Sequence, residues 1–393
     1  SAWIAVVVSC AWVYALYRLD RKQAATRLRQ HKRWYIIGGI LGGILLLGGS
    51  ASLYTLKKDS ADGRFLMWKI TTKAIQKQPI TGTSLGGFPA AYAETQAEYM
   101  ASGKATEQEK LVAGCPEYAF NEYLQIGLEQ GLVGLALFIG WLGLLFYKGI
   151  KNKRYACCGG LMSLAIFAFS SYPLQLPEFW VVLIFLGVMS VTPDKDEIRE
   201  NQAESNGHRW GKQIFFMGIA ILGIGLFWMQ KDHYKAYQQW NKAQMFYNNK
   251  AYEAALEVYE PLYPLLKHKP EFLFEAAQSL SKTGQYEKAN EYLERAVLLS
   301  SDPMLYYVMA KNEQCLGEYR QAEKHLLHAI DILPERIYPY YLLMNLYTEP
   351  SYFQPAKLKM AIDSVLTKKP KVESSAIKEM KEKARSMLNN TSI

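Results

Sequence analysis

The sequence predicts an all-α protein in two halves: a polytopic transmembrane helical domain, then a solenoid of short helices. Two observations predict this. Up to about Met229 the chain repeats long, charge-free apolar runs. After it, the chain becomes a charged repeat in Tyr, Ala and Leu. The mean hydropathy of -0.10 averages these two halves. The net charge of +9 lies largely beside the apolar runs, which points to membrane topology and away from a nucleic-acid partner.

A helix of about 20 apolar residues can cross a bilayer core. Trp34–Tyr54 qualifies, as does Gly131–Tyr147, whose apolar pattern extends back toward Leu124. Ala156–Tyr172 and Phe179–Val191 are shorter and read as a hairpin through the turn Ser171-Tyr172-Pro173-Leu174-Gln175-Leu176-Pro177. Ile214–Met229 is a further span, and Ala2–Tyr17 is short for a full crossing. The chain begins at Ser1 and is apolar from Ala2, without the basic start of a signal peptide. The expectation is therefore a start within or beside a membrane helix, with more spans upstream.

Lys and Arg in short connections mark the cytoplasmic side. Arg18, Arg21, Lys22, Arg27, Arg29, Lys32 and Arg33 crowd the first connection, and Lys148, Lys151, Lys153 and Arg154 the one after Tyr147. The Pro173–Pro177 turn has no basic residue. One alternation satisfies all three. It puts the 55–118 loop outside, Pro193–Lys212 inside, and everything after Met229 outside, which in a bacterium is the periplasm. The expected domains are 1–192 with that loop, a connection and last span over 193–229, and the repeats over 230–393. Cys10, Cys157 and Cys158 read as small packing residues, Cys115 and Cys315 lie outside, and no spacing suggests a metal or a cofactor.

The repeat is regular. Tyr252, Tyr286 and Tyr319 are 34 and 33 residues apart, and Ala255, Ala289 and Ala322 take the same steps. Gly284 and Gly317 recur at 33, as do Pro270 and Pro303. Each unit is two short helices around a Gly-x-Tyr or Lys-x-Tyr corner, which is the tetratricopeptide period. Three repeats are clear, Tyr338–Lys368 is a degenerate fourth, and the tail from Lys368 to Ile393 reads as a capping helix. Such arrays stack because one unit cannot bury its apolar face, and they bind proteins on the concave surface. A protein partner there is expected; the bland alternative is an array that only packs on the membrane domain.

The outside loop opens with a helix from Asp62. Phe65, Trp68, Thr72 and Ile75 share one face, and Lys69, Lys73 and Lys77 another, a pattern suited to the headgroup level of a lipid surface. Pro79 ends it, and Thr81–Phe88 reads as a flexible turn. A second helix covers Ala90–Ala101. The run Pro116-Glu117-Tyr118-Ala119-Phe120-Asn121-Glu122-Tyr123-Leu124-Gln125 then leads into the next span.

These residues resemble the O-antigen ligase and O-antigen polymerase family of bacterial surface-polysaccharide enzymes. The resemblance rests on the Gly-Arg-x-x-x-Trp start at Gly63, the Pro-Ile-x-Gly and Gly-Gly-Phe turns, and the run Asn121–Gly134, and it covers roughly Trp34–Val191. It implies a metal-independent, inverting glycosyltransferase in the bacterial inner membrane, using an undecaprenyl-pyrophosphate-linked glycan as donor. The leaving pyrophosphate calls for a permanently charged, planar donor, and Arg64 matches the family position for that role. Lys69 and Lys73 add positive potential as substrate-binding candidates, against the alternative of a snorkelling basic face over anionic lipid. The family commonly has a histidine before the Asn of the 121–134 run, and this chain has Phe120. That leaves Glu117 and Glu122 as acid/base candidates and Asn121 as a substrate-binding candidate. The plain readings are a solvated carboxylate for Glu117 and helix-start residues for Asn121 and Glu122.

Two functional readings follow. One is a glycosyltransferase acting on a lipid-linked oligosaccharide among membrane lipids. The other is a non-catalytic membrane-anchored scaffold for envelope or polysaccharide assembly, motivated by Phe120 and the array.

Overall fold

The computed structural model describes residues 2–20, 58–192, 209–370 and 372–390. The predicted span Trp34–Tyr54 and most of the 193–212 connection lie outside them. Among the described residues all regular structure is helical. The chain divides into two compact units: one of residues 1–88 with 118–215, the other of 89–117 with 216–393.

In the first unit the helices are α1 (Ala2–Asp20), α2 (Lys58–Lys77), α5 (Glu122–Glu129), α6 (Gly131–Lys151), α7 (Tyr155–Ala168) and α8 (Pro177–Val191). The second unit contributes α3 (Phe88–Ala101, entered at Pro89) and α4 (Glu107–Val112). Helix α1 packs on α7, α7 and α6 on α8, α5 on α6, and α2 on α5. Leu142, Leu145, Leu161, Leu164, Leu174 and Leu183 form the core between α6, α7 and α8. Small residues let these helices approach: a Cβ on Gly149 would lie 2.4 Å from Cys158 Sγ, and one on Gly159 2.4 Å from Val13 Cγ2. Cys158 is fully buried there, as its packing role predicts.

Helix α6 is long and apolar enough to cross a membrane; 2–18, α7 and α8 are shorter apolar helices. Leu137, Leu144, Trp141, Val181, Phe185 and Val188 are exposed on α6 and α8.

The buried face of α2 is Leu66, Ile70, Thr71 and Ala74, while Phe65 is exposed, because α2 lays this face on α5. One expectation for the loop, the flexible 81–88 turn, is corrected. The 81–88 turn is pinned: Thr83 and Ser84 donate backbone N–H groups to the carbonyls of Leu128 and Glu129 at 2.9 and 3.0 Å. Those carbonyls end α5 and have no partner within the helix, so the turn satisfies them. Gly131 (φ +70°) starts α6 where a Cβ would meet Ile80 O at 2.0 Å, so only glycine fits.

In the second unit α9 (Arg209–Met229), mostly within it, leads to four helix pairs. They are α10 (Lys231–Asn248) with α11 (Tyr252–Leu266), α12 (Pro270–Lys282) with α13 (Tyr286–Val297), α14 (Met304–Cys315) with α15 (Tyr319–Ile332), and α16 (Ile337–Leu346) with α17 (Pro355–Thr367). Helix α18 (Ser375–Asn390) packs on α17 and α16 and buries Ala384, the expected capping role. The repeating alanines Ala255, Ala289 and Ala322 are all buried where paired helices meet. Gly284 and Gly317 take φ of +82° and +80° at the corners, and Lys250 takes the same left-handed conformation in the first repeat. The cysteines Cys115 and Cys315 are free thiols.

Candidate functional site

Arg64 lies on α2, one turn before Trp68. Its Nη1 donates to the Ser170 carbonyl at 3.0 Å. Its guanidinium carbon stands 5.2 Å from the Phe120 ring centroid, a cation–π distance. Phe120 meets Tyr172 edge to face at 4.8 Å, and Tyr118 stacks on Tyr172 at 5.1 Å. Trp68 packs on Phe169 at 5.5 Å and donates its indole N–H to Ala119 O at 3.1 Å. The guanidinium thus meets the Phe120 ring, which is itself held by Tyr172.

The 118–121 backbone is fixed from both sides. Ala119 N–H donates to Gln125 Oε1 at 3.1 Å, and Gln125 Nε2 donates to Glu129 Oε1 at 3.3 Å. Glu129 also accepts backbone N–H groups from Gly86 and Phe88. Phe120 has φ of +50°, a left-handed conformation that is costly for a bulky residue. Strain of this kind persists only where surrounding contacts over-determine it.

The predicted candidates separate. Asn121 is buried and caps α5, its Oδ1 accepting Leu124 N–H at 3.1 Å, which is the helix-start role. Glu122 is 1% exposed. Its Oε1 accepts Leu174 N–H at 2.6 Å and its Oε2 accepts from Gln175 Nε2 at 3.1 Å, so it binds the Pro173–Gln175 turn. Burial raises its pKa, and these hydrogen bonds only partly oppose that. Lys69 and Lys73 are exposed on α2. Glu117 falls in the other compact unit. There it lines a cavity of about 810 Å³ with Cys115, Glu271, Ser301, Asp302 and Arg336.

Sequence reasoning missed Tyr118, Tyr172 and the Ser170 carbonyl. The one signal for Tyr172 was its place beside Pro173 in a turn assigned to the same side as the loop. An apolar hollow of about 520 Å³ adjoins Arg64's acceptor, lined by Ile4, Tyr123, Ala165, Ile166, Phe169 and Ser170. No group of three or more His, Cys, Asp or Glu side chains stands together as a metal site among the described residues.

Residues 1–139 match the family model described as O-Antigen ligase. The match starts upstream of the predicted Trp34 and ends before Val191. Residues 248–329 match the model of anaphase-promoting complex, cyclosome, subunit 3. A comparison with curated proteins finds no match. Among solved structures, a MamA is 18% identical, with 37% of this chain and 84% of that chain covered and a TM-score of 0.31. MamA from Desulfovibrio magneticus RS-1 is 19% identical, covering 40% and 98% at 0.32. A kinesin light chain from Podosopora anserina with nearly identical TPR-like repeats is 17% identical, covering 40% and 88% at 0.32. The chain carries an O-antigen ligase domain in its N-terminal part and tetratricopeptide-like repeats in its C-terminal part.

Proposed function

We propose that this protein is a membrane glycosyltransferase of the O-antigen ligase or polymerase type. It moves glycan from an undecaprenyl-pyrophosphate-linked donor to an acceptor hydroxyl at the periplasmic face of the bacterial inner membrane. The observation that carries this reading is Arg64, framed by Phe120 and held by Ser170 inside a domain that matches the O-antigen ligase model.

In the reaction the acceptor oxygen bonds to the anomeric carbon. The bond from that carbon to the pyrophosphate oxygen breaks, its electron pair leaves on the diphosphate, and the hydroxyl proton passes to a base. Charge develops on the diphosphate, and a preorganised guanidinium meets it with planar donors. One Arg64 donor is spent on Ser170, which fixes the orientation of the remainder. The apolar hollow beside Ser170 suits the isoprenoid of the donor, and the rings of Tyr118 and Tyr172 offer faces for sugar. Lys69 and Lys73 add positive potential along α2. Glu122 serves as a positioning residue, because both its oxygens are engaged by the 173–175 turn. Helix α6 is a crossing, α7 and α8 form the hairpin through the Pro turn, and the repeats lie in the periplasm.

Arg64→Ala in the full-length gene, in its host, tests this. Surface glycan on a gel should fall roughly 100–1,000-fold at unchanged membrane level, the scale for removing one donor aimed at developing charge. An unchanged glycan profile sinks the role of Arg64. Loss of captured partners on array substitution, with glycan intact in Arg64→Ala, favours the non-catalytic scaffold that Phe120 motivates.

A further inference from the structure

The second unit contains a piece of chain from far upstream. Residues 89–117 fold with the repeats, although they leave the first unit at Phe88 and return to it at Tyr118. Gln96 is fully buried within α3. Its Nε2 donates to Ile332 O at 2.8 Å and to Gly114 O at 3.0 Å, and its Oε1 accepts from Tyr92 at 2.7 Å. Ile332 is the last residue of α15, so this carbonyl has no partner within its own helix. Gln96 supplies one.

Two further anchors flank it. Glu94 Oε2 lies 3.4 Å from His328 Nε2, and the His328 ring packs on Tyr306 at 4.7 Å. At the other end of the segment Ser301 Oγ donates to Pro116 O at 3.2 Å. Between them α4 is closed by a Thr106–Glu109 capping box. Tyr92, Ala93, Ala97, Tyr99 and Met100 are all buried, so α3 is covered along one face while Glu94 and Glu98 are exposed. The contacts are polar, specific and spread over both ends of the segment.

We infer that the surface built by α14 and α15 takes this chain's own 89–117 segment as its ligand, and that the array thereby acts as a positioning device for glycan transfer. This rests on the reading of the Arg64 cluster as the transfer site. The segment's two exits carry the groups that matter. Phe88 gives its backbone N–H to Glu129, and Tyr118 stacks on Tyr172. Holding the middle of the segment restricts where both exits can go. Glu94 and Gln96 are positioning residues in this account, touching neither donor nor acceptor.

The test uses the full-length chain, purified in detergent for hydrogen exchange and expressed in its host for surface glycan. Gln96→Leu keeps the shape and removes the donors; Glu94→Lys reverses one charge. Gln96→Leu should raise exchange in 92–101 roughly tenfold, because a buried hydrogen-bonded contact is lost, and Glu94→Lys, at an exposed pair, should raise it by less; both should lower glycan at equal membrane level. Adding His328→Glu to Glu94→Lys should restore protection and glycan together, which a merely destabilised helix would not do. Unchanged exchange in Gln96→Leu overturns the seating. Raised exchange with unchanged glycan overturns the positional role. Arg64→Ala, run alongside, should abolish glycan and leave exchange in 92–101 as it was. If it leaves glycan intact, the transfer-site reading has failed, and with it the positional role.

Discussion

In the repeat unit, Glu275 accepts from Trp240 Nε1 and Gln244 Nε2, partners 35 and 31 residues away. Gln314 reaches Glu349 at a separation of 35, and Lys357 reaches Glu323 at 34. In the first unit, Arg64 reaches Ser170 across 106 residues, and Glu122 reaches Leu174 across 52. These polar links of the array join helices about one period apart, and others join adjacent helices. The first unit joins stretches that no period relates. Stability in the first case is close to a sum of neighbouring repeats. In the second, single polar links tie three stretches, and losing one frees several groups together.

This contrast can be broken most forcefully in the array core. Leu293→Ala, at a fully buried site, should cost about 2–5 kcal/mol through lost transfer energy and cavity. If the repeats are a nearest-neighbour stack, hydrogen exchange should rise across α11–α15 and leave α5–α8 unchanged. A rise throughout α5–α8 would show that the two units unfold as one.

A second experiment sharpens it through pH. Glu122 is pushed up by burial, so its proton is held more tightly in the folded state. Stability from it is present below the unfolded carboxylate value and lost as pH rises through the folded one. Burial acts on Glu323 too, but hydrogen bonds from Lys357, Tyr347 and Tyr352 outweigh it and hold the carboxyl below its usual value. Stability from Glu323 is therefore present above the unfolded value and lost as pH falls through the folded one. Glu122→Gln should flatten the loss on raising pH, read by exchange in α5, and Glu323→Gln the loss on lowering it, read in α15. Parallel pH responses in the two variants would remove the distinction.

The smallest effect is at a corner. Lys250 holds φ of +60° where the later repeats use Gly284 and Gly317. Lys250→Gly should relieve the left-handed strain and stabilise the first repeat by about 1 kcal/mol, seen as a higher array melting temperature. A lower one would mean that the Lys250 side chain contributes more than its backbone costs.

Legibility followed the same divide. The array could be read because Tyr252, Tyr286 and Tyr319 start α11, α13 and α15 in step with the period. Arg64 is a candidate from a local motif that resembles a family, and Asn121 could be read as a cap from its place before an apolar run. Tyr172 could not, since nothing near it in sequence signals Tyr118 or Phe120. The 81–88 stretch looked flexible from its glycines and serine; its order comes from carbonyls at the end of α5, more than forty residues away. The seating of 89–117 was equally hidden, because its partners belong to a segment whose own pattern is complete without it.

That seating has a consequence in time. Gln96 and Ile332 are 236 residues apart. At translation rates of 5–20 residues per second, α3 is made on the order of 10–50 s before the carbonyl it binds exists. Throughout that interval Tyr92, Ala93, Ala97 and Tyr99 lack the partners that bury them in the folded protein. Synthesis of α14 and α15 is then the event that seats α3.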